Sequence, residues 1–473
     1  MSDFPTEQKA LDVLILAAGL GTRMRSAQAK VLHRLDARPL INHVCRAATA
    51  LAPQKIYVVI GHQGEDVKTA VLTEIDEQQA VFVVQEKQLG TGDAVNSARE
   101  FLQELDSTLL VLSGDVPMIR PETLAALVQQ HHRHRGKGAA CTILTVKLKD
   151  PTGYGRIVRD DTGLFERIVE QKDATDDAKQ INEINSGIYC FNTQKLFDAL
   201  SNVRNHNSQG EYYLTDVPSL LRDAGEDVAI FHHPDSHEIE GVNNRAQLAD
   251  LERILNRRTI SKLMLDYGVT FIDPKSAHVS AQAVIGRDTI VYPNITIEGS
   301  TVIGDGCAIR SGTRITNSQI GHGVEILDNC VIIDSEVGNN CTVGPFAHLR
   351  GNSKMEEKSK AGNFVELKKT RLGRGSKASH LSYLGDATIG ENTNIGAGTI
   401  TCNYDGVRKH ETHIGDNVKI GSDTMLIAPV TVGDGAITGA GSVVTKDVEA
   451  HLLVAGVPAK VKKNLKEDTK TNS

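Results

Sequence analysis

The chain contains no tryptophan, and aromatic residues make up only 4% of its 473 positions. With no basic block beside them, that scarcity argues against extended nucleic-acid binding, which needs a cationic surface and stacking platforms. Long apolar runs are also missing. The longest near the start, 13–18, is far too short to cross a bilayer. Asp3 and Glu7 stand where a secretory signal would carry basic residues, so the expectation is a cytoplasmic protein with no membrane and no nucleic-acid partner. The seven cysteines (Cys45, Cys141, Cys190, Cys307, Cys330, Cys341, Cys402) are odd in number, scattered and never spaced C-x-x-C. That pattern argues against a zinc site or disulfide framework and for small core fillers.

What is present is a period of six. From Val279 an aliphatic residue recurs at Ile285, Val291, Ile297, Ile303, Ile309 and Ile315. After one-residue slips the series resumes at Ile320, Ile326 and Ile332, then at Val337 and Val343. It returns at Ile389 and Ile395, and again at Ile414, Ile420, Leu426 and Val432. Neither a helix nor a free-standing strand has this period. A parallel β-helix does: each hexad is a short strand plus its corner, and three hexads close one triangular coil. Gly follows many of the aliphatics (Gly286, Gly304, Gly321, Gly338, Gly390), as corners of unusual φ/ψ would require.

A chain this long needs at least two cores. Residues 1–245 alternate short apolar runs (12–18, 56–61, 81–84, 108–112, 139–148) with helix-like stretches (40–51, 123–131), the order of a mainly parallel α/β sheet. Residues 246–267 read as a helical linker, 268–473 as the coil, and 460–473 as a charged tail that frays. The segment 131–135 (His-His-Arg-His-Arg) reads as a solvated helix end.

The first apolar run ends in Leu16-Ala17-Ala18-Gly19-Leu20-Gly21-Thr22-Arg23-Met24. Glycines after a buried strand let backbone N–H groups approach phosphate oxygens. The loop lacks the G-K-[ST] ending of a Walker A and the G-x-G-x-x-G spacing of a dinucleotide turn. Arg23 and Lys30 follow where they could reach phosphates gathered there. Another run ends in Ser113-Gly114-Asp115. A lone strand-end Asp more often caps the next helix. Beside a phosphate cradle, however, a carboxylate is repelled unless a cation bridges them, which points to Mg²⁺.

These motifs resemble the sugar-1-phosphate nucleotidyltransferases, whose fold is a Rossmann-like α/β domain. The resemblance implies UTP and sugar-nucleotide contacts from Leu16, Ala17, Ala18, Gly19, Lys30, Gln85, Gly90, Thr91, Ser113, Gly114 and Asp115. It implies sugar contacts from Gly155, Glu170 and Asn185, and Asn243 as second metal ligand beside Asp115. The implied reaction is attack of a sugar-1-phosphate oxygen on the α-phosphorus of UTP, with Arg23 and Lys30 on the phosphates and pyrophosphate leaving.

Strict register lapses between Leu349 and Ile389, where 362–369 and 377–386 look like departures from the coil. A second excursion runs from Asn394 to His413. Insertions in a repeat fold often make the binding face. This half resembles the left-handed β-helix (hexapeptide repeat) acyltransferases, and the whole chain is similar to the bifunctional uridyltransferase/acetyltransferase family of UDP-N-acetylglucosamine synthesis. The resemblance implies acetyl transfer from acetyl-CoA to glucosamine-1-phosphate, then uridylyl transfer to N-acetylglucosamine-1-phosphate, in a homotrimer. His380 would be the base, because an ammonium cannot attack a thioester. Arg350, Lys368, Tyr383 and Asn394 would hold the sugar phosphate; Ala397, Asn403, Tyr404, Ser422 and Ala440 would line the acetyl-CoA site. One departure stands out: Gly456 precedes Val457-Pro458 where the family carries an Arg toward the CoA phosphates, with Lys460, Lys462 or Lys463 as substitutes.

The alternative is a single-activity nucleotidyltransferase whose coil only assembles subunits. It differs at His380, Lys368 and Asn403-Tyr404, which a scaffold does not need. A third reading, a carbohydrate-binding prong, is disfavoured by the scarcity of aromatics for sugar stacking.

Overall fold

The computed structural model describes residues 10–19 and 21–466; the expectations placed on Asp3, Glu7, Leu20 and 467–473 lie outside the described residues. Contacts divide the chain into two compact units, residues 1–254 and 255–473.

The front unit is a sheet of nine strands: β1 (Leu11–Leu16), β2 (Ile56–Ile60), β3 (Ala80–Val84), β4 (Thr108–Ser113), β5 (Cys141–Lys147), β6 (Arg156–Arg159), β7 (Phe165–Val169), β8 (Glu183–Asn192) and β9 (Val228–His232). The main order is β9-β5-β8-β4-β1-β2-β3, with β6 on β8 and β7 on β6. The run β4-β1-β2-β3 is parallel, as the alternation of apolar runs and helices requires. β8 lies antiparallel between β4 and β5 and, with the β6–β7 hairpin, is absent from the strands expected from sequence. Its Ser186-Gly187 centre, where the register with β5 shifts, interrupts an otherwise apolar run. β1 sits where the parallel order turns back on itself, so the loops after β1 and β4 open into one crevice at the carboxyl edge.

The segment 131–135 is a solvated helix end only at Arg133 and Arg135, which are exposed; its first two histidines turn inward. His131 is only 3% exposed, with Nδ1 3.0 Å from Thr142 Oγ1, and His132 Nε2 lies 2.8 Å from Thr108 Oγ1. The last turn of the helix Pro121–Arg133 packs its polar rings onto hydroxyls of the sheet. Six of the seven cysteines are buried.

A helix spans Arg245–Asp266. The rear unit is a parallel β-helix of three walls, whose strands pair with the strand one coil later. None of the aliphatics of the hexad series is more than 3% exposed; each fills the coil interior and contributes on the order of 1.5–3 kcal/mol by leaving water.

Two expectations are corrected. The glycines after the aliphatics have ordinary φ, and the left-handed corners are taken mostly by Asn, Asp and other glycines, such as Asn317, Asn340, Asn392 and Gly312. Gly304 is needed for a different reason: a Cβ there would lie 2.8 Å from the Gly321 carbonyl carbon of the next coil. Close stacking of coils, not backbone freedom, selects glycine at that position. Second, the coil is not interrupted between Leu349 and Ile389. Leu349 pairs with Leu367 and Leu367 with Leu384; Met355 pairs with Leu372, and Ala361 with Ala378. The register looked broken because Ala and Met take inward positions held elsewhere by Ile and Val. The later excursion is real but shorter than 394–413: Asn394–Cys402 keep coil register, and the extra chain lies between Cys402 and Thr412. Ile389 pairs with Ile414 and Ile395 with Ile420, a step of 25 residues where adjacent coils take 17 or 18. The extra chain leaves as a hairpin closed by a Tyr404–Lys409 bridge.

The tail is likewise more ordered than expected. Lys460–Asn464 forms a strand antiparallel to Leu452–Ala455.

Candidate functional sites

In the front unit the carboxyl ends of β1 and β4 lie side by side, Leu16 opposite Ser113, and Gly114 N–H donates to the Leu16 carbonyl at 2.9 Å. Ala17 N–H bonds Val59 O at 2.9 Å, and Gln88 Nε2 donates to Ala18 O at 2.6 Å. The loop is therefore pinned where it leaves β1, just before Gly19, while a Cβ at Gly19 would meet nothing. Gly21 has φ +61°, and a Cβ there would lie 2.5 Å from Lys30 Cβ. Only glycine lets the loop press against the segment that carries Lys30.

Four of the expected residues converge. Lys30 Nζ forms an ion pair with Asp115, and Asn243 Oδ1 accepts from Arg23 Nη2 at 2.8 Å and from Lys30 Nζ at 3.4 Å. Asp115 does not cap the following helix, whose N-terminal position is Arg120 with no side-chain cap. The donor set toward a cation is one carboxylate and one amide oxygen, hard ligands that suit Mg²⁺ and leave most of its shell to phosphates and water. Among the described residues no cluster of three or more His, Cys, Asp or Glu could hold a metal. Such a site therefore needs the substrate to complete it.

Gln85 is buried, its Nε2 2.7 Å from Asp93 Oδ2 and 3.3 Å from Gly90 O. Gly90 (φ +116°) would carry a Cβ 2.5 Å from Tyr212 O, and Thr91 Oγ1 accepts from Leu214 N–H at 3.1 Å. On the sugar side, Glu170 lies beside Gly155, and burial pushes its pKa up despite a hydrogen bond from Thr215. Asn185 is buried and engaged internally: its Nδ2 donates to Tyr189 Oη at 2.7 Å, and its Oδ1 accepts from Gly187 N–H at 3.2 Å. Asn185 shapes the β8 kink with both ends of its amide. Gln88 and Asp93 were missed from sequence because their roles lie in contacts with distant loops.

In the rear unit His380 is exposed at the end of the strand Lys377–His380, part of the wall that begins with Thr270–Phe271 (the first wall), one coil above Asn363. Its Nδ1 lies 2.5 Å from Asn363 Oδ1. An amide oxygen only accepts, so Nδ1 carries the proton and Nε2 keeps the basic lone pair. Registers place His380, Ala397, Ser422 and Ala440 in successive coils, each two residues past paired positions. They form one column.

A second group lies on the adjacent wall. Lys368 Nζ is 2.9 Å from Asp386 Oδ2, Asn403 Nδ2 donates to the same oxygen at 2.5 Å, and Arg350 pairs with Glu366 at 2.7 Å. Burial would raise the Asp386 pKa, but the Lys368 and Asn403 hydrogen bonds outweigh it and hold the carboxyl below its usual range. Tyr383 lies one coil beyond Glu366, with its Oη where a Cβ on Gly385 would be. Lys409, from the hairpin, brings its ammonium against Lys368, which lowers the Lys409 pKa, and Arg350 acts in the same sense. Arg350 and Lys368 are already balanced by Glu366 and Asp386, so Lys409 is the added cation that a bound phosphate would offset. The sequence reading missed Lys409, which gains its neighbours only through the hairpin. Asp405 shapes that hairpin by accepting from Val407 and Arg408 N–H groups and pairing with His410 at 2.6 Å. Asn403 thus joins the cation group, not the Ala397–Ser422–Ala440 column, and Tyr404 Oη donates to Gly406 O. Asn394 stands apart, on the first wall between Lys377 and Lys419.

Gly456 has φ +104°, a region L side chains rarely adopt. Installing the arginine expected there (Gly456→Arg) should cost about 1–3 kcal/mol, read as a lower Tm of the rear unit by calorimetry; an unchanged Tm would contradict the assignment.

Comparison with known families agrees with this division. Residues 12–236 match the nucleotidyl transferase family, 267–370 the GMPPB C-terminal domain, and 411–446 the bacterial transferase hexapeptide family of six repeats. The chain is 50% identical to the bifunctional protein GlmU of Heliobacterium modesticaldum over 95% of its own length and 96% of the relative's. It is 48% identical to that of a Geobacillus species, over 93% and 94%, and 47% identical to that of Syntrophomonas wolfei, over 94% and 96%.

Proposed function

The chain belongs to the family of bifunctional GlmU proteins, and from that premise we propose that it builds UDP-N-acetylglucosamine from glucosamine-1-phosphate in two steps at two separate sites. In the rear unit, acetyl-CoA donates its acetyl group to the sugar amine. His380 Nε2 takes a proton from the nitrogen as the N–C bond forms; the C–S bond breaks, the imidazolium returns that proton to the sulfur, and CoA leaves as its thiol. Asn363 holds the tautomer that leaves Nε2 basic, and Arg350, Lys368 and Lys409 take the sugar phosphate. The His380–Asn363 pairing carries this reading, because a scaffold has no use for an exposed imidazole with a fixed tautomer.

In the front unit the N-acetylglucosamine-1-phosphate oxygen attacks the α-phosphorus of UTP, and pyrophosphate leaves. Asp115 and Asn243 would hold a divalent cation such as Mg²⁺, which when bound would supply charge neutralisation between the two anions. Arg23 and Lys30 screen the phosphates, and Gly19 and Gly21 leave room for phosphate oxygens to approach the backbone. No base is needed because the nucleophile is already ionised. Among the described residues no helix is long and apolar enough to cross a membrane. The test is incubation of the protein with glucosamine-1-phosphate, acetyl-CoA, UTP and Mg²⁺. UDP-N-acetylglucosamine should form, and leaving out acetyl-CoA should abolish it; product that forms equally without acetyl-CoA would contradict the reading.

The active assembly is a homotrimer on this reading. Phe346 and Phe364 stack at 5.1 Å and, with Leu381 one coil on, make an apolar ladder 49%, 55% and 60% exposed beside the His380 column. All three sit at positive φ, a position the fold otherwise gives largely to Asn, Asp and Gly. A second copy covering this ladder accounts for both costs. Phe364→Asp should yield monomers by light scattering and lose acetyl transfer while pyrophosphate release persists; a variant that stays trimeric and fully active would rule the ladder out.

A further inference from the structure

The two oxygen donors of the front site come from chain segments more than a hundred residues apart, and one buried carboxylate ties those segments together. Glu238 is 0% exposed. Its Oε1 accepts from Arg120 Nε at 2.5 Å, and its Oε2 accepts from Thr123 Oγ1 at 2.6 Å. His233 Nε2 stands 3.2 Å from the same carboxylate, and Asp235 Oδ2 lies 3.4 Å from Arg120 Nη2. Arg120 ends the loop that begins at Asp115, and Thr123 lies in the first turn of the helix that follows. Glu238 opens the short path to Asn243, and at its end, one residue before Asn243, Val242 N–H donates to the Asp115 carbonyl at 2.9 Å. Ile239 and Val242 are buried on either side of Glu240-Gly241, so the path has little freedom between its anchors. On its far side Asn243 is held by the start of the long helix, where Gln247 Oε1 accepts from Asn243 N–H at 2.8 Å.

We propose that Glu238 is a positioning residue for the divalent cation: a strut that holds the Asn243 segment against the Asp115 loop so that both oxygens face one ion. The inference rests on the reading of the front unit as a metal-dependent uridylyl transferase. A buried carboxylate is expensive unless fully paired, and here the partners are all drawn from the two segments it joins, which is the arrangement a strut requires. Removing its charge leaves Arg120 without its buried partner and lets the two segments separate. The Asp115–Asn243 spacing loosens while neither donor is altered.

The test compares wild type with Glu238→Gln and Thr123→Val. Mn²⁺ is titrated into protein saturated with UDP-N-acetylglucosamine, and free Mn²⁺ is followed by electron paramagnetic resonance. Outer partners of metal ligands typically govern affinity by about 10–100-fold. Glu238→Gln should weaken Mn²⁺ binding about 10-fold, and Thr123→Val, which removes one hydrogen bond and no charge, should weaken it by a smaller factor. The Mg²⁺ concentration giving half-maximal pyrophosphate release should rise in parallel, with most of the turnover recovered at saturating Mg²⁺. CoA release by the rear unit of the same polypeptide should be unchanged, and the turnover recovered at saturating Mg²⁺ reports that the front unit of the variant has folded. A lowered Tm with wild-type Mn²⁺ affinity and wild-type Mg²⁺ dependence would overturn the strut and leave Glu238 merely structural. If Glu238→Gln fails to fold, Thr123→Val alone decides by the same readout. Wild type that binds Mn²⁺ but releases no pyrophosphate would instead overturn the uridylyl-transfer reading, while the comparison of Mn²⁺ affinities still judges the strut.

Discussion

Replacing His380 by alanine should reduce CoA release from acetyl-CoA and glucosamine-1-phosphate by about 10²–10⁴-fold, the usual worth of a positioned general base. Pyrophosphate release from UTP and N-acetylglucosamine-1-phosphate should stay at the wild-type rate. The expectation follows from geometry on one corner of the coil. His380 is exposed, its Nδ1 faces Asn363 Oδ1 at 2.5 Å, and its column continues into Ala397 and Ser422. Because the imidazole contributes nothing to the coil interior, which Ala378 and Leu384 fill, the variant should fold normally. The loss should therefore appear in kcat for acetyl transfer without a fall in Tm. Equal CoA release by the variant and wild type would remove His380 from the chemistry.

The reciprocal variant is Asp115→Ala. It deletes the only carboxylate expected to hold the cation, and it also frees Lys30, now paired with Asp115. Loss of a preorganised electrostatic partner for a phosphoryl transition state should lower pyrophosphate release by at least ~10²–10³-fold. CoA release should persist, because the two sites lie in separately packed units. Raising Mg²⁺ should not restore the rate: unlike Glu238→Gln, this variant lacks a ligand and not merely its placement. Recovery at high Mg²⁺ would place the essential cation elsewhere.

How much of this was legible in the sequence depended on whether a residue acts locally. The coil could be read because each of Val279 to Ile315 points inward at a fixed interval, so a one-dimensional pattern encodes the three-dimensional stack. It became illegible where Met355, Ala361 and Ala378 took the same inward positions with other side chains. The glycines after the aliphatics were found for the wrong reason, since the neighbouring coil that crowds Gly304 is some seventeen residues away in the chain. Asp115 and Lys30 were legible as motif members, but their pairing and the convergence of Arg23 on Asn243 come from topology. Lys409 and Glu238 were invisible. Each takes its role from partners brought near by a hairpin or a sheet crossover, and neither belongs to a local pattern. The same holds for His131, whose charged neighbours suggested a wet surface while its ring lies under the sheet's Thr142.

A coil that catalyses a reaction and a coil that only supports the front unit differ in one observable. The most direct test is to supply wild-type protein with acetyl-CoA and glucosamine-1-phosphate, without UTP, and to follow free thiol. Steady release of CoA, one for each N-acetylated sugar formed, is the predicted result. No thiol above the uncatalysed background, from protein that still releases pyrophosphate from UTP and N-acetylglucosamine-1-phosphate, would contradict it and leave the coil a scaffold.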